Sequence, residues 1–349
     1  MRRGSGSGYH AGMPVVRGEE LTYTDVLRLD GARTLCCQPV SALEVHGPHL
    51  PLGMDVFMAR WMAEETGRRF AERRPDWTVV QMPPLTLGTD ELPLPGSMSA
   101  SVRALYATLL GHGRSLARAG YRWIMVTNGH GGPRHAAALE AACRQVGRRH
   151  GIAMFTPSIL VLHRVITGQR FARVEALLGR SLSDMERQGL LAGEHAGGWE
   201  TSFMLAEDPT LVGPEYTRLS RGGPPAWRPL MAAGAWLGRW HQDPARLQTA
   251  VEGLGGSIGW LLNARYGYGG PAVTYKGDPS VASADIGRAF REVLAEDCLA
   301  LAEAVVAGQL PAADVRSIAS DHAVIQPAFL RRLGLAAAAA GGVLAGMFW

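Results

Sequence analysis

Lysine is all but missing from this chain. Of 35 Lys and Arg residues among 349, only Lys276 is lysine and 34 are arginine. Asp and Glu together number 31, so the formal charge is only +4. The arginines form no aromatic–basic stripe and accompany no nucleic-acid motif, so the bias reads as GC-rich coding and nucleic acid is excluded as a partner. The pairs Arg68-Arg69, Arg73-Arg74 and Arg148-Arg149 fall late in helical patterns, where positive charge complements the helix dipole. Cysteine is also scarce. Cys36, Cys37, Cys143 and Cys298 have neither metal-finger nor disulfide-framework spacing, and are expected to be reduced, buried thiols. The basic, Gly/Ser-rich start (Met1 to Gly8) has no apolar stretch behind it, which argues against a secretion signal and for a cytoplasmic protein. Only one long uncharged run exists, Leu333 to Trp349 after Arg331-Arg332. At 17 residues it is at the lower limit for spanning a bilayer, and both a C-terminal membrane anchor and a helix packed on this or a neighbouring subunit fit it.

What is present is the make-up of a globular enzyme, 47% apolar and 19% charged. Apolar runs and helical patterns alternate. Strands are expected near 34–41, 78–82, 121–127 and 152–157, and helices near 56–74, 98–119, 134–149 and 285–307. That alternation predicts an α/β fold, a three-layer α/β/α sandwich around a mostly parallel sheet. Residues 1–20 read as a flexible tail, 21–310 as the main domain with a helical insertion at 158–192, and 311–349 as an extension with an apolar tail helix at 333–349. A stretch holding Trp227, Trp236, Trp240 and Trp260 suits core or subunit packing first, a substrate wall or membrane contact second.

Three segments carry chemistry. In Glu44-Val45-His46-Gly47-Pro48-His49-Leu50-Pro51-Leu52-Gly53-Met54-Asp55, residues i and i+2 of a strand end would share a face. Glu44 and His46 then point together, and the Gly/Pro turn can return Asp55 over them. Carboxylate oxygens and imidazole nitrogens suit a borderline divalent ion such as Zn²⁺ or Mn²⁺. The second segment is a strand-like run to Thr127, then Asn128-Gly129-His130-Gly131-Gly132-Pro133 and a helix. This puts His130 at a strand's carboxyl end, where α/β sheets bind ligands, and the glycines let backbone N–H groups approach one. The third is Glu194-His195-Ala196-Gly197-Gly198-Trp199-Glu200-Thr201-Ser202. Glu200 there could simply complement a helix dipole, and Trp199 could be core or a ligand wall.

Together these segments resemble the creatininase (creatinine amidohydrolase) family. Pro95-Gly96-Ser97 and Gly277-Asp278-Pro279 followed by Ala282-Ser283-Ala284 echo two further family turns. The resemblance implies a creatininase-like fold and a dinuclear metal-dependent amidohydrolase. Glu44, His46, Asp55 and His130 match metal ligands, with Asp55 as the bridging carboxylate. Glu200 matches a carboxylate used in relatives that carry Gly-Gly after the second-motif His. In creatininase itself that position holds a metal-binding Glu, which Gly132 cannot replace, so creatinine is not the expected substrate. The Gly-Gly branch includes formamide deformylases and a mycofactocin-type peptidase. His195 matches a catalytic His, a general acid that Glu194 could orient. N–H groups of Gly131 and Gly132 are candidate oxyanion donors. Glu91 stands where many relatives have His, and with Trp199 it is expected near the substrate. The implied cofactors are two divalent ions, Zn²⁺, Mn²⁺ or Fe²⁺. The implied partners are a small-molecule amide and further copies of the chain, often a hexamer. The alternatives kept are a peptide-trimming hydrolase and a non-catalytic metal-binding scaffold.

Overall fold

The computed structural model describes residues 14–191, 195–223 and 274–317, with isolated positions 232, 236 and 239. Six strands form the sheet: β1 (Val15–Arg17), β2 (Thr34–Ser41), β3 (Thr78–Gln81), β4 (Leu85–Thr86), β5 (Trp123–Thr127) and β6 (Ala153–Phe155). Their order is β1-β3-β2-β5-β6, with β4 beside β2, and every pairing is parallel. The helices among the described residues are α1 (Tyr23–Arg28), α2 (Met54–Arg73), α3 (Val102–Arg118), α4 (Pro133–His150), α5 (Ser158–Ile166), α6 (Phe171–Leu178), α7 (Asp184–Leu190), α8 (Gly198–Glu207) and α9 (Ala284–Val306).

Strand parity builds the layers. β2 is buried along its whole length, as expected of a central parallel strand covered on both faces. Cys36 and Val40, with Ile124 and Val126 of β5, pack under α3 and α4. Leu35, Cys37 and Met125 turn the other way, against Phe70 of α2 and Leu299 of α9. The three-layer α/β/α arrangement follows. All four cysteines are buried free thiols, and burial raises Cys36 to about 12.

A proline inside a central strand is unusual because it cannot donate to the ladder. Here Pro39 sits in a gap. The β2–β3 register ends at Cys37↔Gln81 and β2–β4 begins at Val40↔Leu85. The Cys37 carbonyl accepts from Met82 N–H on that flank. Pro39, two residues on, turns its nitrogen to the same flank, where no strand pairs. The change of partner from β3 to β4 also opens the sheet beside the carboxyl end of β2.

Part of the expected tail is structured. Val15–Arg17 pairs with β3 as an edge strand, and α1 follows behind a Thr22/Asp25 capping box. The alternation of Val15, Val16 and Arg17 was too short to register as a strand without its neighbour. Within 158–192, α5 and α6 dock through Val161, Val165, Phe171 and Val174 onto a cluster that includes Phe290 and Leu294 of α9. Among the described residues no helix is long and apolar enough to cross a membrane. The apolar run 333–349 lies outside them, as does nearly all of the Trp-rich stretch.

Candidate metal centre

The amino ends of three helices meet at the carboxyl ends of β2 and β5. α2 brings Asp55 in its first turn, α8 brings Glu200 in its first turn, and α4 starts at Pro133, capped by Gly132, just after His130. Each helix end favours negative charge. Glu44 and His46 arrive from the loop that leaves β2. All five of these side chains are buried.

Their contacts divide into two groups joined by Asp55. His130 Nδ1 lies 3.0 Å from Glu44 Oε2 and 3.1 Å from Asp55 Oδ2. His46 Nε2 lies 3.2 Å from Asp55 Oδ1 and 3.5 Å from Glu200 Oε2. One oxygen of Asp55 therefore faces each group. Glu44, Asp55 and His130 form one set of converging ligand atoms, and His46, Asp55 and Glu200 form a second.

The surroundings hold each imidazole in one tautomer. A carbonyl can only accept, so the ring nitrogen facing it must carry the proton. His46 Nδ1–H donates to Glu44 O at 3.0 Å and His130 Nε2–H to Thr89 O at 3.0 Å. His195 Nε2–H donates to Val45 O at 2.7 Å. In all three rings the other nitrogen faces carboxylates. Metal-binding histidines are oriented by this same outer hydrogen bond.

That arrangement is costly unless a cation is present. Glu44 Oε2, His46 Nε2 and Asp55 Oδ2 are buried with no hydrogen-bond partner, and such groups cost free energy when left unpaired. Protons can partly substitute. Burial opposes charge on His46, yet Asp55, Glu200 and Glu44 together raise it to about 10. His130 is held well above its ordinary value, against burial, by Glu44 and Asp55. Glu44 and Asp55 are pulled down by the histidines despite burial. Burial pushes Glu200 up to about 7. The donor set demands positive charge, and nitrogen and carboxylate oxygen are the donors a divalent transition ion prefers. The residues fit such ions.

The Pro/Gly-rich loop at 83–97 is expected from the sequence to border the site; its individual contacts were not legible there. Leu92 N–H donates to Glu44 Oε1 at 2.6 Å, and Thr89 N–H donates to His135 Nδ1 at 3.4 Å. Asp90 takes a left-handed φ of 76° and accepts from Arg134 N–H at 2.6 Å. Asn128 accepts from Ser41 Oγ and from His130 N–H, each at 3.0 Å, and its own amide donates to His130 O at 2.7 Å. His49 is buried and shares a 2.8 Å hydrogen bond with Thr201. Asn128 and His49 stood inside the quoted motifs, but spacing alone gave them no role. The other strained non-glycine residue described is Ala196, with φ 52°; its N–H reaches Glu200 Oε2 at 2.5 Å. Both departures border the centre, where strain tends to be tolerated.

Two glycines are dictated by close approach. A Cβ at 129 would lie 2.4 Å from Asp55 O, and one at 132 would lie 2.5 Å from His130 Nε2. Position 132 therefore cannot carry a carboxylate on this backbone, and Glu200 supplies one from the opposite side. Gly131 is exposed, with open space where its Cβ would be.

His195 stacks on His46 with ring centroids 4.3 Å apart, and its Nδ1 is 3.9 Å from Glu44 Oε2. Burial lowers it to about 4, so it is neutral near pH 7. Glu194 lies outside the described residues. Glu91 is buried near Glu44 and His130 and accepts from Ser99 Oγ at 2.5 Å. Trp199 departs from its expected place. It is 0% exposed, its Nε1–H donates to Leu190 O at 3.1 Å, and its ring packs on Phe171 and Phe290. It is a core residue. Adjacent helix residues point about 100° apart, so with Glu200 facing the centre Trp199 is turned into the core.

Buried carboxylates and imidazoles gathered at the carboxyl edge of a parallel α/β sheet form a site that could hold metal ions. The chain matches the creatininase (creatinine amidohydrolase) family over residues 19–302 and belongs to that family. It is 35% identical over 146 residues to the mycofactocin precursor peptide peptidase of Mycobacterium ulcerans (strain Agy99), covering 40% of this chain and 56% of the relative. The chain thus spans about half the length of the curated relatives it matches. A solved structure described as "Creatininase Mn" aligns over 85% of this chain and 100% of its own, with TM-score 0.55 and 24% identity. A mutant creatininase of Zn-Zn type aligns over 84% and 98%, with TM-score 0.54 and 22% identity. These likenesses establish the fold, a mostly parallel sheet with flanking helices.

Proposed function

We propose that the protein is a two-metal amidohydrolase that cleaves the C–N bond of an amide or formamide. The observation that carries this reading is Asp55. Its two oxygens face separate ligand groups, Glu44/His130 on one side and His46/Glu200 on the other. A carboxylate so placed suits a bridge between two ions. The descriptions of the two solved relatives support Mn²⁺ or Zn²⁺. On this reading residues 21–310 form the catalytic unit, in keeping with the family match.

Two bound ions would lower the pKa of a shared water towards about 7 and polarise the carbonyl. The chain's own residues supply the rest. The α4 amino end, with Gly131 N–H exposed before it, favours negative charge on the carbonyl oxygen. His195 has its Nε2–H committed to Val45 O, which leaves Nδ1 to accept a proton on the Glu44 side. Because burial keeps it neutral, it begins as a base and becomes the acid only after taking that proton. It can then protonate the amine, which otherwise leaves poorly. This refines the simple general-acid role expected from the sequence.

A small-molecule amide or formamide is the leading substrate class. The names of the curated relatives favour trimming of a short peptide as the second reading. Hydrolysis of formamides, lactams and short peptides should be assayed with metal-depleted protein and after readdition of Zn²⁺ or Mn²⁺. Restoration of cleavage that Glu200→Gln cannot recover is expected. Equal hydrolysis with and without metal would overturn the proposal.

A further inference from the structure

The chain's single lysine is joined to the proposed proton-transfer residue. Lys276 and His195 exchange both backbone hydrogen bonds, Lys276 N–H to His195 O at 2.7 Å and His195 N–H to Lys276 O at 3.0 Å. In an antiparallel pair of this kind the two side chains leave the same face. The His195 imidazole leaves towards Glu44 and His46, so the four-carbon stem of Lys276 projects on the side that holds the centre. The strip is fixed along its length. Gly47 N–H donates to Thr274 O at 2.7 Å, Gly222 and Gly277 form the next bridge, and the Tyr275 hydroxyl donates to Ser220 O at 3.0 Å.

Lys276 is partly buried, yet no described residue pairs with its ammonium, and burial alone acts on it, lowering its pKa. Several arginines differ. Arg69, Arg170, Arg173 and Arg187 each hold a carboxylate. An unpaired, partly desolvated charge costs free energy unless a ligand completes it. Lysine also differs in kind from the 34 arginines, since it offers a compact point charge with rotatable donors rather than a planar fork.

We infer that Lys276 is a specificity residue that receives a carboxylate of the substrate, so that the preferred amide carries one negative charge close to the scissile bond. A single ammonium suits a single carboxylate better than a phosphate, which would need further donors. The inference rests on the amidohydrolase reading for its location but makes a separate demand on binding.

The test is calorimetric titration of Zn²⁺-loaded protein with N-acetylglycine and with N-acetylglycinamide, run on the wild type, Lys276→Met and Lys276→Arg. Melting curves check that each variant folds. The wild type should bind the acid more tightly than the amide. Lys276→Met should weaken the acid roughly 10- to 100-fold while leaving the amide unchanged, the scale of one charge-assisted hydrogen bond. Lys276→Arg should recover part of the loss. No binding of the acid, equal binding of acid and amide, or acid binding unchanged in Lys276→Met would overturn the inference; the last result would place the carboxylate on the metal instead. Hydrolysis assays of N-formyl amino acids and their carboxamides separate the two proposals. Cleavage of both forms at equal rates, unaffected by Lys276→Met, removes the lysine's role and keeps the hydrolase. Lysine-dependent binding of the acid without any metal-dependent cleavage does the reverse.

Discussion

Two regions of this protein are dense in ionisable side chains, and they treat charge in opposite ways. Along α9, each carboxylate facing a neighbouring helix meets an arginine. Glu292 takes both guanidinium nitrogens of Arg69 at 2.7 Å, Asp297 takes Arg170 at 2.8 and 3.0 Å, and Glu296 takes Arg173 at 3.0 and 2.5 Å. At the carboxyl end of the sheet, three carboxylates and two imidazoles converge, and among the described residues no arginine pairs with Glu44, His46 or Asp55. The α9 pairs are complete within the chain and partly solvated. The other cluster is buried, and among the described residues only its own histidines offset its carboxylates. Self-satisfied charge marks a structural seam; buried charge left for an outside ion marks chemistry.

The contrast can be broken at several points. The largest effect is expected from Asp55→Ala, which removes the oxygens that join the two ligand groups. Metal content by atomic emission should fall to a trace and cleavage to background. Retention of one full equivalent of metal would mean that the two groups are independent. His195→Ala should keep the metal and lose roughly 10²- to 10⁴-fold in turnover, the range of a proton-transfer residue. Loss of metal in that variant would make His195 a ligand instead, a role its Nδ1 is placed to take with Glu44 and His46.

A third effect concerns pH. In metal-free protein His46 is raised from its ordinary 6.5 to about 10 by its carboxylates against burial. A raised folded-state pKa gives stability that is full below the unfolded value and is lost as pH climbs to the folded one. Chelated protein should therefore lose melting temperature between roughly pH 6.5 and 10, while metal-loaded protein should change less, because the ion replaces the proton. Parallel curves for the two forms would argue against metal in the cluster. The smallest effect belongs to the seam. Arg69→Ala should cost no more than about 1 kcal/mol of stability, as expected of a partly exposed pair, and leave metal content untouched.

Much of the site was legible in the sequence because its pieces are local. Glu44 and His46 lie two apart, Asp55 follows one turn later, and His130 ends a strand pattern. Strand ends and turn chemistry bring each to the sheet's edge, although Glu44 and His46 sit in the loop past Ser41, where strand parity no longer applies. Strand and helix positions were legible for the same reason, from Thr34–Ser41 through Ala284–Val306. The division of labour was not legible. That His46 pairs with Glu200 across 154 positions while Glu44 pairs with His130 depends on how α8 crosses α2. The Thr89 and Leu92 contacts are main-chain hydrogen bonds, which side-chain identity does not encode. Trp199 was misplaced because its neighbour Glu200 is functional, and a helix separates neighbours by direction. The edge strand Val15–Arg17 escaped because three residues carry no readable period.

The central claim is that the cluster at Asp55 holds two divalent ions. The most direct measurement is the metal content per chain of protein purified without chelator, set beside Asp55→Ala and Arg69→Ala. The account predicts about two ions in the wild type and in Arg69→Ala, and a trace in Asp55→Ala. No more than a trace in the wild type, with none taken up from added Zn²⁺ or Mn²⁺, would contradict it.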